Sequence, residues 1–396
     1  MEQSVMHCAC NDIKTGANGG CSEMKRLNVH LKRWVAQITG LFDWKNHYRL
    51  IILSVVILVF SILCGCAAQS DKLLDSEPLA TIIAGSDFQA ATVEYGKDYF
   101  GTILTSVRAD GINNINEAFI CGDMTPLRNN REASNTGADT VLALLNEAYG
   151  LTEEKCVFTL GNHDDDGFDL ATPSGGYEKE NYSYFVLNET DYGCDKLDTP
   201  VRVIADSLAN WLEDKSENGY TSPIFILSHV PLHQSGRNDT RYSSYIIDVL
   251  NDASDKGLNL FFLFGHNHSS GYDDYLGGSC VFLPAGSTIP VADAGGFAKE
   301  HYHSQQINFT YLNAGYIGYV ASNEQDSTIS SVIIVVYKNR VEFRRYSPNG
   351  LCRMKNSGMT NPVYDYGEVD NKYTLLWQSD TTIIDSPHTV WLGEEN

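Results

Sequence analysis

Apolar and polar positions in residues 79–345 follow a pattern that predicts strands alternating with helices. Five apolar runs of strand length are separated by stretches whose apolar residues recur at helical spacing. The runs are residues 79–86, Glu117–Cys121, Cys156–Leu160, Pro223–Leu227 and Leu258–Phe264. The helical stretches are Tyr95–Ala109, residues 137–149, Val203–Asp214 and Tyr242–Ala253. Such alternation is typical of βαβ units and a largely parallel sheet.

The pattern changes after Gly278, where strand-like runs are joined by shorter connections. These runs are Ser279–Leu283, Tyr316–Ala321, Ser331–Tyr337 and Val341–Arg345. The last two are predicted to pair as a hairpin, so we expect a second, more antiparallel sheet. Residues 165–200 have no clean period and are predicted to be an inserted loop region or small antiparallel pieces.

Each of the five apolar runs in the first part ends abruptly in polar residues that suit metal binding or catalysis. These residues are Asp87 with Gln89, Asp123, Asn162 with His163 and Asp164, His229, and His266 with His268. Ligands of parallel sheets bind beyond the carboxyl ends of the strands, so the five clusters are expected to converge. A glycine precedes Asp123, Asn162 and His266, and each is expected to permit a tight turn.

The donor atoms of this set are carboxylate oxygens, amide oxygens and imidazole nitrogens. That mixture favours Mn, Fe, Zn or Co, because calcium prefers all-oxygen sites and structural zinc brings thiolates. The set exceeds the needs of one ion and therefore predicts two divalent metal ions, about 3.5–4 Å apart. A single Asp or Asn at a strand end more often caps a helix, but the ordered set favours a metal site.

These motifs resemble the calcineurin-like metallophosphoesterase family, whose pattern is D-x-H, G-D, G-N-H-D/E, H and G-H-x-H. The chain shows them in that order as Asp87-Phe88-Gln89, Gly122-Asp123, Gly161-Asn162-His163-Asp164, His229 and Gly265-His266-Asn267-His268. The resemblance covers about residues 79–345. It implies an α/β fold, with a two-sheet β sandwich flanked by helices, and hydrolysis of phosphate mono- or diesters by a metal-bridging hydroxide.

The resemblance also implies a role for each site residue. One metal ion would take Asp87, Asp123 and His268, and the other would take Asp123, Asn162, His229 and His266. His163, held by Asp164, would stabilise the transferring phosphoryl group or protonate the leaving oxygen.

Gln89 departs from the family pattern, which has histidine at that position. Its amide oxygen would be a weaker ligand for the first ion than an imidazole. The alternative function is therefore a degenerate family member that binds a metal or ligand with little or no turnover. The presence of His163 and Asp164 favours the enzyme, because a binding module would not need them.

The segment at 49–69 predicts an attachment to a membrane. No residue from Leu50 to Ser70 is charged, and such a length spans a bilayer as a helix. Basic residues precede it, so the positive-inside rule places residues 1–48 in the cytoplasm and the rest outside. The run Leu63-Cys64-Gly65-Cys66 resembles a lipobox, so a cleaved lipoprotein signal and an uncleaved signal anchor both remain open. Either alternative tethers the catalytic domain to the extracytoplasmic side of the cell membrane.

Composition and charge narrow the classes of partner. The 396 residues are 43% hydrophobic and 20% charged, as in ordinary globular proteins. The formal net charge of -22 argues against a nucleic-acid-binding surface. The expected partners are therefore a phosphate ester substrate and the membrane. We predict a catalytic domain at 79–349 and a C-terminal extension of unknown role at 350–396.

Overall fold

The computed structural model describes most of the chain after residue 76. The described residues are 77–89, 97–188, 200–233, 243–268, 276, 278–292, 302–318, 329–358, 365–369, 372–376, 380–384 and 386–393. The predicted cytoplasmic segment at 1–48 and membrane segment at 49–69 lie outside them, so attachment to a membrane stays a prediction. Within the described ranges, none of the helices is long and apolar enough to cross a bilayer.

Strands and helices alternate in the first part of the described chain, and strands predominate after it. The strands are β1 (Ala80–Gly85), β2 (Glu117–Ile120), β3 (Cys156–Phe158), β4 (Gly175–Glu178), β5 (Ser183–Leu187), β6 (Ile224–Ser228), β7 (Leu260–Phe264), β8 (Phe282–Leu283), β9 (Thr288–Ala292), β10 (Tyr302–Gln306), β11 (Thr310–Asn313), β12 (Ser331–Val336), β13 (Arg340–Ser347), β14 (Gly350–Cys352), β15 (Met354–Gly358), β16 (Asp365–Val369), β17 (Lys372–Leu376), β18 (Asp380–Ile384) and β19 (His388–Trp391). The α-helices are α1 (Thr102–Ala109), α2 (Arg131–Tyr149), α3 (Pro200–Glu217) and α4 (Ser243–Asp255). Short helical turns lie at Lys97–Gly101, Glu153–Lys155 and Gly278–Cys280.

Two large sheets form the centre of the fold. The first sheet has the order β14-β13-β12-β1-β2-β3, with β19 beside β13. The second has the order β4-β5-β6-β7-β11-β8. Strands β1, β2 and β3 are parallel, and so are β5, β6, β7 and β11. Each sheet therefore combines a parallel part with antiparallel strands at its side.

Alternate residues of each strand pack into different layers. In β1, Ile83 packs with α1 and α2, whereas Ile82 and Ala84 face the second sheet. In β6, Ile226 packs with α3 and α4, whereas Leu227 faces the first sheet. Both faces of both sheets are thus covered, which explains why the strands are continuously apolar. The predicted two-sheet β sandwich flanked by helices is confirmed.

The expectation that the later strands form a separate antiparallel sheet is wrong. The predicted hairpin of β12 and β13 does form, but β12 pairs antiparallel with β1 in the first sheet. The five apolar runs are also divided, three in the first sheet and two in the second. Hydrophobic pattern could not reveal this division, because strands buried on both faces look alike in either sheet.

Two further expectations differ from the structure. The stretch at 165–200, predicted to be an inserted loop region or small antiparallel pieces, does contain the antiparallel pair β4 and β5. However, β5 also pairs parallel with β6 inside the second sheet and is wholly buried. The predicted strand at Tyr316–Ala321 is not a strand where the structure describes it, and β11 takes its place in the sheet. At the C-terminal extension, β19 pairs with β13, so part of the tail belongs to the first sheet.

Candidate metal centre

Loops at the carboxyl ends of strands from both sheets meet at one end of the sandwich. His229, after β6, places Nδ1 2.8 Å from the carbonyl oxygen of Cys121, after β2. The backbone N–H of His266, after β7, donates to Oδ2 of Asp87, after β1, at 2.7 Å. The convergence predicted from the strand ends is therefore present, and it bridges the two sheets.

Four of the predicted ligands direct their donor atoms toward one another. Nε2 of His229 lies 3.2 Å from Oδ1 of Asn162, 3.2 Å from Nδ1 of His266 and 3.4 Å from Oδ2 of Asp123. Asp123, His229 and His266 are buried, and their ligand atoms all lie within 4.8 Å of one another. We call this group of four side chains the inner cluster.

The chemistry of the inner cluster fits a bound cation. The Cys121 carbonyl accepts a hydrogen bond from Nδ1 of His229, so Nε2 is the ring atom that carries a lone pair whenever the ring is neutral. That lone pair faces an amide oxygen, a carboxylate oxygen and another imidazole nitrogen. A cation among these atoms would replace their mutual contacts with bonds from all of them to one positive charge. A divalent ion with mixed nitrogen and oxygen preference satisfies all four groups.

The other predicted ligands form a second group, which we call the outer pair. Nε2 of His268 lies 2.7 Å from Oδ1 of Asp87, and both side chains are buried. Gln89 is adjacent, but its Nε2 donates to Oδ2 of Asp123 at 2.7 Å. Whether Gln89 also ligates a metal stays a prediction. In this conformation it supports the carboxylate that both ions would share.

Backbone conformation sets the predicted ligands apart from the rest of the chain. Among the described residues, positive φ occurs at five that are not glycine, and four of these five are predicted ligands. These four are Asp87 at 55°, Gln89 at 31°, Asp123 at 59° and His266 at 67°. Such conformations cost on the order of 1 kcal/mol each and collect at functional sites. The strained loops are therefore a second mark of the site, independent of residue chemistry.

The glycines of the motifs serve two different purposes. Gly122 has φ +81°, so the predicted turn is confirmed there. Gly265 does not have positive φ, but the predicted turn follows it: His266 has φ 67°, and the N–H of Asn267 donates to the carbonyl of Gly265 at 2.7 Å. A Cβ at Gly265 would lie 1.7 Å from Oγ of Ser86, so this glycine instead permits two ligand loops to touch.

Burial and neighbouring charge act in opposite directions on the carboxyl groups. Burial alone would raise the pKa of Asp87, but the charges of His268 and His229 outweigh it and the pKa is lowered. The pKa of Asp123 is also lowered, against the effect of burial, by His229. Burial raises the pKa of Asp164 to about 7, and the Asp123 carboxylate adds to that rise.

The predicted contact between Asp164 and the His163 ring is wrong. The Asp164 carboxylate accepts hydrogen bonds from the backbone N–H groups of Asp123, Met124 and Gly161, at 2.7, 2.8 and 3.0 Å. Nδ1 of His163 instead lies 3.0 Å from the carbonyl oxygen of Pro126. Asp164 thus fixes the backbone of the ligand loops, while a main-chain oxygen orients His163.

Sequence reasoning missed some residues that hold the ligands. Ser86 immediately precedes Asp87 in the chain, and its Oγ donates a hydrogen bond to Oδ2 of Asp87 at 2.7 Å. His233 is buried, and its Nδ1 lies 2.8 Å from the hydroxyl of Tyr311. Its Nε2 lies 3.4 Å from Nδ2 of Asn267, so His233 supports the Gly265–His268 loop.

Residues 81–270 match the sequence model of a family described as calcineurin-like phosphoesterase. Comparison with curated proteins gives no match. A solved dimetal phosphatase from Danio rerio is 12% identical, with 70% of this chain and 98% of that chain covered and a TM-score of 0.44. A predicted phosphoesterase from Streptococcus pneumoniae is 13% identical, covers 68% and 91%, and has a TM-score of 0.29.

A vacuolar protein sorting protein is also structurally similar to this chain. Vacuolar Protein Sorting 29 from Cryptosporidium parvum is 11% identical, covers 78% of this chain and 100% of that chain, and has a TM-score of 0.31. At these identities and TM-scores, the likenesses do not bear on what the protein binds or converts.

Proposed function

Residues 81–270 of the chain belong to the calcineurin-like phosphoesterase family, and on that premise we propose that the protein is a metal-dependent hydrolase of phosphate esters. The observation that carries the proposal is the inner cluster. Four donor atoms from loops of two different sheets face one another there, with Nε2 of His229 within 3.4 Å of the other three. A carboxylate, an amide and two imidazoles that converge in this way are a donor set that divalent cations bind.

Two cations of unequal affinity fit the two groups of side chains. Asp123, Asn162, His229 and His266 would hold the tighter one. The outer pair, with Asp123 shared, would hold the weaker one, because Gln89 replaces an imidazole there. The nitrogen and oxygen donors favour Mn, Fe, Zn or Co over calcium.

A divalent cation bound at this centre would supply Lewis acidity, polarising a phosphoryl oxygen and making water more acidic. The remaining work falls to the chain itself. The Pro126 carbonyl accepts a hydrogen bond from Nδ1–H, so the other ring nitrogen of His163, Nε2, is left for the substrate. His163 is half-buried and can therefore reach a phosphate ester from solvent. In the imidazolium form Nε2 also carries a hydrogen, and we assign to that form the donation of a hydrogen bond or a proton to the leaving oxygen.

A ligand-binding protein with little or no turnover is the second candidate. The hydrogen bond from Gln89 to Asp123 favours it, because that bond occupies a carboxylate oxygen that both cations would share. The two candidates differ in one respect that can be measured. An enzyme turns over substrate in proportion to bound metal, whereas a binding protein takes up metal without turnover.

The test uses the purified full-length chain after treatment with a chelator. It is assayed on 4-nitrophenyl phosphate and bis(4-nitrophenyl) phosphate while Mn, Fe, Zn and Co are restored one at a time. We expect turnover to require a metal, and Asp123→Asn to lose about a hundredfold or more, as for other groups that stabilise charge in the transition state. The relative rates on the two compounds decide between monoester and diester hydrolysis.

Asp139→Asn is the matched control, since Asp139 is exposed on α2. It should retain the parent rate. Metal uptake without turnover in the parent would favour the binding protein. Turnover that is independent of metal, with Asp123→Asn as active as the parent, would refute the metal-dependent enzyme.

A further inference from the structure

The segment after β11 contacts both groups of ligand loops, although it lies beyond the residues that match the family. The backbone N–H of Ala314 donates to the carbonyl of Phe264 at 2.7 Å. That of Ile317 donates to the carbonyl of Ser86 at 3.0 Å, immediately before Asp87. The segment therefore joins the loop that carries Asp87 to the strand that leads to His266 and His268.

Tyr316 in this segment lies directly against a predicted ligand. Its ring stacks on the imidazole of His268, with centroids 4.4 Å apart and planes only 4° from parallel. Tyr316 is 2% exposed and His268 is 3% exposed, so water does not compete for the stacked faces. At its edge, the same imidazole meets Oδ1 of Asp87 through Nε2 at 2.7 Å.

These two contacts restrict different motions of the His268 ring. The carboxylate of Asp87 limits where Nε2 lies but still permits the ring to tilt about that contact. The flat Tyr316 ring prevents the tilt, because any rotation about the Cβ–Cγ bond would push the imidazole into it. A ligand held in one orientation loses less freedom when the metal binds, and groups that orient ligands raise metal affinity.

We infer that Tyr316 is a positioning residue for the outer metal site, which it serves by stacking on His268. This inference rests on the proposed function, since it assumes that His268 ligates a cation. The outer site depends more on positioning residues than the inner cluster does. Gln89 donates its amide to Asp123, so His268 and Asp87 must supply most of the fixed geometry.

The contribution of the ring can be separated from that of ordinary core packing. Tyr346 is a suitable comparison because it is 1% exposed and packs between the first sheet and helices α1 and α2. Loss of either aromatic ring leaves a cavity and lowers stability. Only loss of the Tyr316 ring should weaken cation binding at the outer metal site.

The experiment titrates Mn²⁺ into the metal-free full-length chain by isothermal calorimetry. The variants are Tyr316→Leu, Tyr316→Phe and the control Tyr346→Leu, and thermal unfolding checks that each one folds. If Tyr316→Leu does not fold, Tyr316→Met fills more of the same space without a ring. We expect Tyr316→Leu or Tyr316→Met to raise the dissociation constant of the weaker cation about tenfold or more. The tighter cation should be unaffected, and Tyr316→Phe should behave as the parent.

Equal effects of Tyr316→Leu and Tyr346→Leu on the weaker cation would overturn the inference, as would a Tyr316→Phe variant as weak as Tyr316→Leu. A parent chain that binds only one cation, or none, would overturn it as well. Failure of the proposed function has a different signature. In that case the parent would bind its cations and respond to Tyr316→Leu as expected, yet would hydrolyse neither nitrophenyl ester.

Discussion

The inner cluster and the outer pair lie side by side, and all of their side chains except the half-buried Asn162 are buried, but they differ in what their donor atoms face. In the inner cluster, Nε2 of His229 faces acceptor atoms of Asn162 and Asp123 and a ring nitrogen of His266. In the outer pair, His268 contacts the Asp87 carboxylate directly, and the nearby Gln89 donates its amide to Asp123. The first arrangement brings four donor atoms together for one cation, whereas the second consists of two side chains that contact each other.

The same residue types are thus arranged in two different ways, and we expect the two arrangements to bind cations with different affinities. Both groups contain aspartate and histidine at strand ends. A cation entering the outer pair must break the 2.7 Å contact between His268 and Asp87, whereas the inner cluster offers four ligand atoms whose mutual contacts are longer, 3.2–3.4 Å around Nε2 of His229. We therefore expect the inner cation to bind more tightly, and the following substitutions test that order.

The largest effect is expected from His229→Ala, which removes the atom at the centre of the inner cluster. Tight cation binding should weaken by more than a hundredfold, since even groups that only orient ligands are worth about 10–100-fold. Turnover should be lost with it. Metal content after gel filtration, together with hydrolysis of the nitrophenyl esters, measures both effects. His303→Ala on β10 is the matched control and should retain the parent metal content. Tight binding that survives His229→Ala would show that the inner cluster is not the metal site.

A smaller effect is expected from His268→Ala, because the inner cluster remains intact. The variant should bind one cation with the parent affinity and lose the weaker one, and its turnover should fall by about 10–100-fold, the range seen when a supporting metal contact is lost. Calorimetric titration gives the number of cations and both dissociation constants. Loss of the tight cation instead of the weak one would reverse the proposed order of the two sites.

The smallest effect is expected from Gln89→His, which restores the residue that the family has at this position. An imidazole there no longer donates an amide N–H to Asp123 and adds a nitrogen ligand to the outer site. We expect the dissociation constant of the weaker cation to fall by roughly tenfold, a typical value for one added interaction of about 1.4 kcal/mol. Gln89→Leu is the control without any donor and should not tighten binding. An unchanged constant in Gln89→His would mean that position 89 does not contact the metal.

Much of the fold could be predicted because its strands are short, apolar and separated by regular helices. The prediction failed where the hydrophobic pattern of a segment does not show which strands lie beside it in the sheet. Strand β5 was hidden in a stretch rich in glycine and tyrosine, and its burial depends on β6, far away in the chain. Helix α2 begins at Arg131, earlier than its apolar side suggests, because the Asn130 side chain accepts a hydrogen bond from the N–H of Ala133.

The site was predictable to a similar degree and for a related reason. Asp123, His229 and His266 are brought together by the geometry of strand ends, which the order of apolar runs reveals. The support around them was not predictable. A main-chain carbonyl at Pro126 holds His163, and backbone atoms have no residue signature. Tyr316 contacts His268 because β11 pairs with β7. The local sequence of either strand does not predict that pairing.

The ligands are divided between the two sheets, and this division affects the stability of the sandwich. Asp123 and Asn162 follow strands of the first sheet, whereas His229 and His266 follow strands of the second. A cation held by all four would cross-link the two sheets at the end of the sandwich where their ligand loops meet. Its binding energy would then add to the free energy of unfolding, by about 2.7 kcal/mol at a hundred times the dissociation constant. On this basis a cation bound there would also stabilise the fold, and its removal would loosen the two sheets at the end that carries the ligand loops.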